Sequence, residues 1–262
     1  MTDNFSLKDR TNLFWSNVAA QLGLDRRVPV KIEVRDGITF ATIPDRTIAI
    51  PAARRWHRYK RGWAPRANRL LYQFGVGDLV KLATGDVVID IGANIGEFSL
   101  GAAATGATVH AIEGDPFVFK CLSFNTQAQR GILTHECVVW KENTTLTFYS
   151  EPSDADSSVF KPVSGVEPKP LQVSAMALDS LAEKVGIGEV ALLKCDAEGA
   201  EPEVIEGGRT LLARTRAVAF DTGAERMGEE TSDACEALLR DLGFKVLHQL
   251  RQNRKITFGL RD

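Results

Sequence analysis

The 262-residue chain is expected to fold as an α/β protein. It should hold a mostly parallel sheet with helices on both faces, preceded by a small helix-and-hairpin extension. Three observations predict this. Short β-branched runs alternate with helix-length segments from residue 87 onward. Residues 86–115, DVVIDIGANIGEFSLGAAATGATVHAIEGD, form one strand–loop–helix–strand unit, about the size of a parallel crossover. Two later strands end on acids, Asp196 and Asp221, outside the carboxyl edge where open parallel sheets bind ligands.

Apolar positions between Phe5 and Leu22 recur at helical spacing. Val30–Val34, Ile38–Ile43 and Thr47–Ile50 read as short strands joined by Asp36-Gly37 and Pro44-Asp45 turns. Residues 1–65 are therefore expected to cap a main domain at 66–262. Residues 54–69, RRWHRYKRGWAPRANR, are basic and aromatic with no acid among them. They suit a wall for an anionic or sugar-bearing substrate, with Trp56, Arg58 and Trp63 in contact. They equally suit a solvated face whose tryptophans anchor the cap. A helix is expected over Leu70–Leu82.

Then come strands at Val87–Ile91 and Thr108–Ile112 around a helix at Glu97–Ala104. Asp115-Pro116 opens a helix to about Thr126, with Pro where its missing N–H costs nothing. Thr134–Trp140 reads as one strand and Thr145–Tyr149 as another. Residues 150–170 hold four of the ten prolines and read as a lid or a surface insertion. A lid would bring Asp156, Ser157 and Ser158 toward the ligand. Structure resumes at Leu171–Ala175, followed by a helix over Asp179–Val185. The strand Glu189–Cys195, one helix over Pro202–Ala213 and the strand Arg216–Phe220 come next. Then follow a helix over Thr231–Leu242 stopped by Gly243 and a hairpin of Phe244–Leu250 with Lys255–Leu260.

The composition is that of an ordinary globular protein, 44% hydrophobic and 25% charged. A net charge of −2 gives no bulk attraction to nucleic acid, and none is expected as a partner. The four cysteines form no C-x-x-C clamp and read as small core residues in a reducing, cytoplasmic setting. Neither a signal peptide nor a membrane span is legible. A homo-oligomer is left open.

The loop after Ile91 carries the chemistry. Gly92 and Gly96 permit a tight turn and close approach of a ligand. Glu113, at the end of the next strand, can accept hydrogen bonds from both hydroxyls of a ribose. A dinucleotide fingerprint needs G-x-G-x-x-G, but Asn94 stands where its second glycine would be. The loop instead resembles the first motif of class I S-adenosylmethionine-dependent methyltransferases, with Glu113 as the second. That resemblance implies a seven-stranded sheet whose last strand is antiparallel.

The second informative stretch is LLKCDAEGAEPEVIEGG, residues 192–208. Asp196, Glu198 and Glu201 gather at a strand end, where carboxylates hold an amino group or a sugar hydroxyl, ligate a metal, or take a proton. Asp196 and Asp221 close neighbouring strands and are the candidates for a divalent metal. His57 is a further base candidate; His110 reads as core. With this stretch added to DVVIDIGANIGEFS and HAIEGDP, the chain resembles the FkbM-like family of S-adenosylmethionine-dependent methyltransferases over residues 66–222.

The resemblance implies O-methylation of a hydroxyl, often on a sugar of a glycan, glycolipid or natural product. It places S-adenosylmethionine on Asp90, Gly92, Asn94, Gly96 and Glu113 with Asp196 beside it. Ala93, Phe98 and Ser99 join that set as neighbours on the loop and helix. The catalytic candidates are Asp196, Glu198 and His57; the substrate candidates add Ser157, Ser158 and Glu201 to the basic segment. Two features depart from the family: Glu113-Gly114-Asp115-Pro116 where it shows Glu-Pro, and Asp221 where it commonly has Glu. An oxidoreductase using NAD through a degenerate loop, or a non-catalytic nucleotide-binding module, is the alternative.

Overall fold

A computed structural model describes residues 5–151, 157–161 and 168–261. Helix α1 (Leu7–Gln21) starts at Ser6, whose side chain and that of Asp9 satisfy each other's backbone N–H groups. Strands β1 (Lys31–Arg35), β2 (Ile38–Ile43) and β3 (Arg46–Ile50) form a small antiparallel sheet. A 3₁₀ segment, Ala53–Tyr59, leads to helix α2 (Trp63–Gln73). The core of this cap includes Ile95, Val118 and Cys121 from the main domain. The expected division at residue 65 therefore falls inside α2 and across a shared core.

The main domain begins with β4 (Val87–Ile91), α3 (Glu97–Ala103), β5 (Thr108–Glu113) and α4 (Pro116–Thr126). Strands β6 (Ile132–Glu136), β7 (Val138–Trp140), β8 (Thr144–Ser150) and β9 (Lys169–Ala177) follow. Next are α5 (Leu178–Val185), β10 (Val190–Cys195), α6 (Glu201–Glu206), α7 (Arg209–Leu212) and β11 (Thr215–Asp221). Helix α8 (Ser232–Asp241) and the hairpin β12 (Lys245–Arg251) and β13 (Arg254–Leu260) complete it.

The central sheet has the order β12-β13-β11-β10-β4-β5-β6. Strands β6, β5, β4, β10 and β11 run parallel, and β13 is antiparallel to both its neighbours. This is the expected seven-stranded α/β sheet with an antiparallel last strand. The order reverses between β4 and β10, and a crevice opens at that switch point. Both faces are covered, by clusters around Ile89, Leu193 and Phe220 and around Val88, Leu192 and Phe258.

Three expectations need correction. The helix expected over Leu70–Leu82 is α2, which lies earlier and stops at Phe74, because Gly75 and Gly77 take left-handed φ values. Residues 134–140 are not one strand: β6 pairs with β5, whereas β7 leaves for a separate sheet of order β7-β9-β8. The helix over 202–213 breaks into α6 and α7 at Gly207-Gly208. A Cβ on Gly207 would overlap the Trp140 carbonyl, and one on Gly208 would lie 2.6 Å from Leu178. No helix among the described residues is long and apolar enough to cross a membrane. Of the expected lid, 152–156 and 162–167, with Asp156, lie outside the described residues.

Candidate active site

A cavity of about 280 Å³ opens at the carboxyl ends of β4, β5 and β10. Gly92, Ala93, Asn94, Phe98, Glu113, Asp196 and Glu198 line it, as do Arg58 and Ser157. Asp90, Gly96, Ser99, His57, Trp56, Trp63, Ser158, Glu201 and Asp221 do not.

The glycine loop is shaped by the chain itself. Gly92, Asn94 and Gly96 all have positive φ, at 66°, 52° and 89°. A Cβ on Gly92 would overlap the carbonyl oxygen of Asp196, and one on Gly96 would crowd Leu122 and Thr126. The glycines thus let β4 and β10 close together and let α3 seat on α4; the space beside them holds protein. Asn94 stabilises its left-handed backbone through its side chain. Its Oδ1 accepts from its neighbour's amide on Ile95 and from Arg55 Nη1, both at 3.0 Å.

Beneath the loop lies a buried ion pair. Asp90 is fully buried, accepts from Ser99 Oγ at 2.5 Å and faces Lys194 Nζ at 2.9 Å. Lys194 also donates to the carbonyls of Ile91 (3.0 Å) and Gly92 (2.8 Å). Asp90 and Ser99 therefore anchor the turn from below and stay out of the cavity.

Glu113 ties two loops together at the cavity wall. Its Oε2 accepts from Asn94 N and its Oε1 from Asp115 N, each at 2.8 Å. Burial raises its pKa to about 7 against the pull of those amides. The inserted Gly114 keeps the following loop close, since a Cβ there would meet Val138 at 2.6 Å. Asp115 caps α4 by accepting from Phe117 N and Val118 N. Its other oxygen accepts from Ser150 Oγ and Ser157 Oγ, at 2.5 and 2.9 Å. Beside Glu113, Ile112, Val118, Cys137, Val138 and Phe148 make an apolar slot. Two of these come from the small β7-β9-β8 sheet.

The acids after β10 divide by role. Asp196 and Glu198 face the cavity, with Glu198 at φ 50°. Glu201 is fully buried and turns inward, accepting from Ala197 N, Gly199 N and Thr231 Oγ1. Burial raises its pKa to about 7. It shapes the turn from behind and does not line the cavity.

Arg254, from the start of β13, binds three carboxylates at once. It donates to Asp196 Oδ1 at 3.1 Å and to Asp221 and Glu225. Burial and the Asp196 charge raise the Glu225 carboxyl to about 9 and that of Asp221 to about 6. Oxygens of Asp196, Glu198 and Glu225 lie within 4.8 Å of one another, a spacing a divalent ion could use. A metal shared by Asp196 and Asp221, the candidate pair in the sequence, would have to displace the guanidinium that holds both. The residues as placed therefore do not fit a metal at that pair.

The basic-aromatic segment turns mostly inward. Trp56 is 4% exposed in the cap core. Trp63 stacks on Tyr59 and carries Arg46 over its ring. Arg66 makes a two-pronged pair with buried Glu97, at 2.9 and 2.7 Å, and Tyr59 donates to the same carboxylate at 2.7 Å. Burial opposes ionisation of Glu97, but these partners outweigh it and bring its pKa to about 2. His57 is exposed and bonds the Arg54 carbonyl at 2.7 Å. Ser158 donates to the Glu198 carbonyl at 2.8 Å. Arg58, Arg66 and Arg69 remain at the cavity wall.

Sequence comparison fits this geometry. Residues 90–246, more than half of the chain, match the Methyltransferase FkbM domain. The chain belongs to the FkbM methyltransferase domain family. One relative is the 31-O-demethyl-FK506 methyltransferase FkbM of Streptomyces tacrolimicus, 30% identical over 162 residues. That match covers 49% of this chain and 61% of the relative. Among solved structures, fibrillarin from Aeropyrum pernix, with natively bound S-adenosyl-L-methionine, aligns at 13% identity and a TM-score of 0.48. It covers 89% of this chain and 100% of its own. A precorrin-6y C5,15-methyltransferase from Geobacter metallireducens aligns at 12% identity and a TM-score of 0.46, covering 76% and 87%.

Sequence reasoning missed Arg254 and Glu225, and the apolar slot. Arg254 is 58 positions from Asp196, inside a hairpin with no local motif. The slot depends on β7 leaving the main sheet, which no run of residues announces.

Proposed function

We propose that this FkbM-family chain is an S-adenosylmethionine-dependent O-methyltransferase acting on a hydroxyl of a sugar or natural product. The supporting observation is the placement of Glu113. Its carboxylate sits 2.8 Å from the Asn94 amide at the glycine turn, between an apolar slot and the Asp196 wall. The slot suits adenine, the carboxylate suits ribose hydroxyls, and Asp196 and Glu198 lie where the sulfonium end would be.

The cofactor, when bound, supplies a methyl group already activated for in-line displacement. The chain's part is to align an acceptor hydroxyl with it, which can itself supply much of the rate. The hydroxyl proton needs an acceptor. Asp196 and Glu198, which line the cavity, fit that role better than His57, which lies outside it. The acceptor meets the wall built by Arg69, Gln73 and Gln252. Titration calorimetry with S-adenosylmethionine and with NAD tests the cofactor. Binding of NAD alone would overturn the reading. A tritiated-methyl transfer assay over glycans, glycolipids and macrolides tests the acceptor.

A further inference from the structure

Among the described residues, every cation at the cavity wall but one is held by a hydrogen bond or ion pair. Arg66 holds Glu97, Lys194 holds Asp90, and Arg254 holds three carboxylates. Arg69 donates to the side chain of Gln252. Arg58 is half-buried on the same wall and makes no hydrogen bond or ion pair among the described residues. It lies beside the glycine loop, near enough for its charge to act on Glu97 and on Arg55, whose guanidinium holds Asn94.

No Arg58 guanidinium nitrogen is both shut from water and unbonded, so the fork stays accessible at the cavity, where an anion would gain two parallel charge-assisted hydrogen bonds. The proposed cofactor offers one. Its adenosine end is accounted for by the apolar slot and Glu113. Its other end is an amino acid, with an ammonium and a carboxylate. Asp196 and Glu198 suit the ammonium, and they leave the carboxylate without a cation. We infer that Arg58 is the anchor for the amino-acid carboxylate of S-adenosylmethionine, which makes it a cofactor-binding residue. This rests on the cofactor reading above. An acidic group on the acceptor offers the same chemistry, and the test separates the two sources.

Calorimetry compares S-adenosylhomocysteine with 5′-methylthioadenosine, which keeps adenine, ribose and sulfur but lacks the amino-acid end. In the native protein the first should bind more tightly. Arg58→Gln should weaken S-adenosylhomocysteine by roughly tenfold or more, the scale of a charge-assisted hydrogen bond. It should leave 5′-methylthioadenosine within about twofold, which also shows that the variant is folded. Arg58→Lys, keeping charge without the fork, should recover part of the loss. Unchanged S-adenosylhomocysteine affinity would overturn the inference and hand Arg58 to the acceptor. Equal losses for both ligands would overturn it too, as a pocket-shape effect. If neither ligand binds the native protein, the cofactor reading itself fails.

Discussion

Replacing Lys194 with Met tests how the glycine turn is held. The ammonium is 3% exposed as a residue, lies 2.9 Å from fully buried Asp90, and satisfies the carbonyls of Ile91 and Gly92. Methionine fills similar volume, so the loss is electrostatic. It strands a carboxylate with Ser99 as its remaining partner and takes a donor from the Gly92 carbonyl, while the Ile91 carbonyl keeps the Asp196 amide. Breaking a buried pair from one side costs about 3–5 kcal/mol, a fall in Tm of roughly 6–20 °C for a domain of this size. The Lys194→Met, Asp90→Asn pair should recover much of that loss, since no unpaired charge then remains. Urea denaturation of the native protein, both single variants and the double gives the coupling energy. A loss below about 1 kcal/mol for Lys194→Met, or no recovery in the double, would refute the claim that this pair anchors the loop.

Other outcomes follow from the same geometry. Gly92→Ala should destabilise strongly and weaken cofactor binding, because it adds left-handed strain and pushes β10 off β4; a thermal melt within about 1 °C of native contradicts this. Glu113 has its pKa raised from 4.5 to about 7, so its burial contributes stability that is full below the unfolded value and is lost as pH rises through 7. If the ionised carboxylate grips ribose, cofactor affinity should climb between pH 6 and pH 8, roughly tenfold per unit below 7 at most; Glu113→Ala should flatten that profile. Glu97 works the other way, with its pKa lowered to about 2: its pairing stabilises above 4.5 and is lost as pH falls toward 2. Arg66→Met should therefore remove part of the stability at pH 7 while having less effect near pH 3, read by urea denaturation at both. Exhaustive chelation should leave methyl transfer intact, because Arg254 already holds Asp196 and Glu225, two of the three acids whose spacing would suit an ion.

The sequence alone determined the layers and most of the elements. Strand runs such as Val87–Ile91 and helix starts such as Asp115-Pro116 carry their own local physics, in β-branching, capping and the geometry of proline. The position of Glu113 was legible for the same reason, since a crossover of fixed length delivers the end of one strand beside the loop of the last. What tertiary structure decided was which groups face inward. Residues 54–69 suited a substrate wall and a cap anchor equally in the sequence; the fold spends Arg66 on Glu97 and Trp56 and Trp63 on the cap core. Glu201 and Glu198 look alike in a row of acids, but the turn at Gly199 sends one behind the strand and the other into the cavity. Arg254 reaches the acids from the distant hairpin because an antiparallel return lays its first residue beside the end of β11. Such pairings join charges far apart in the chain, and no local preference encodes them.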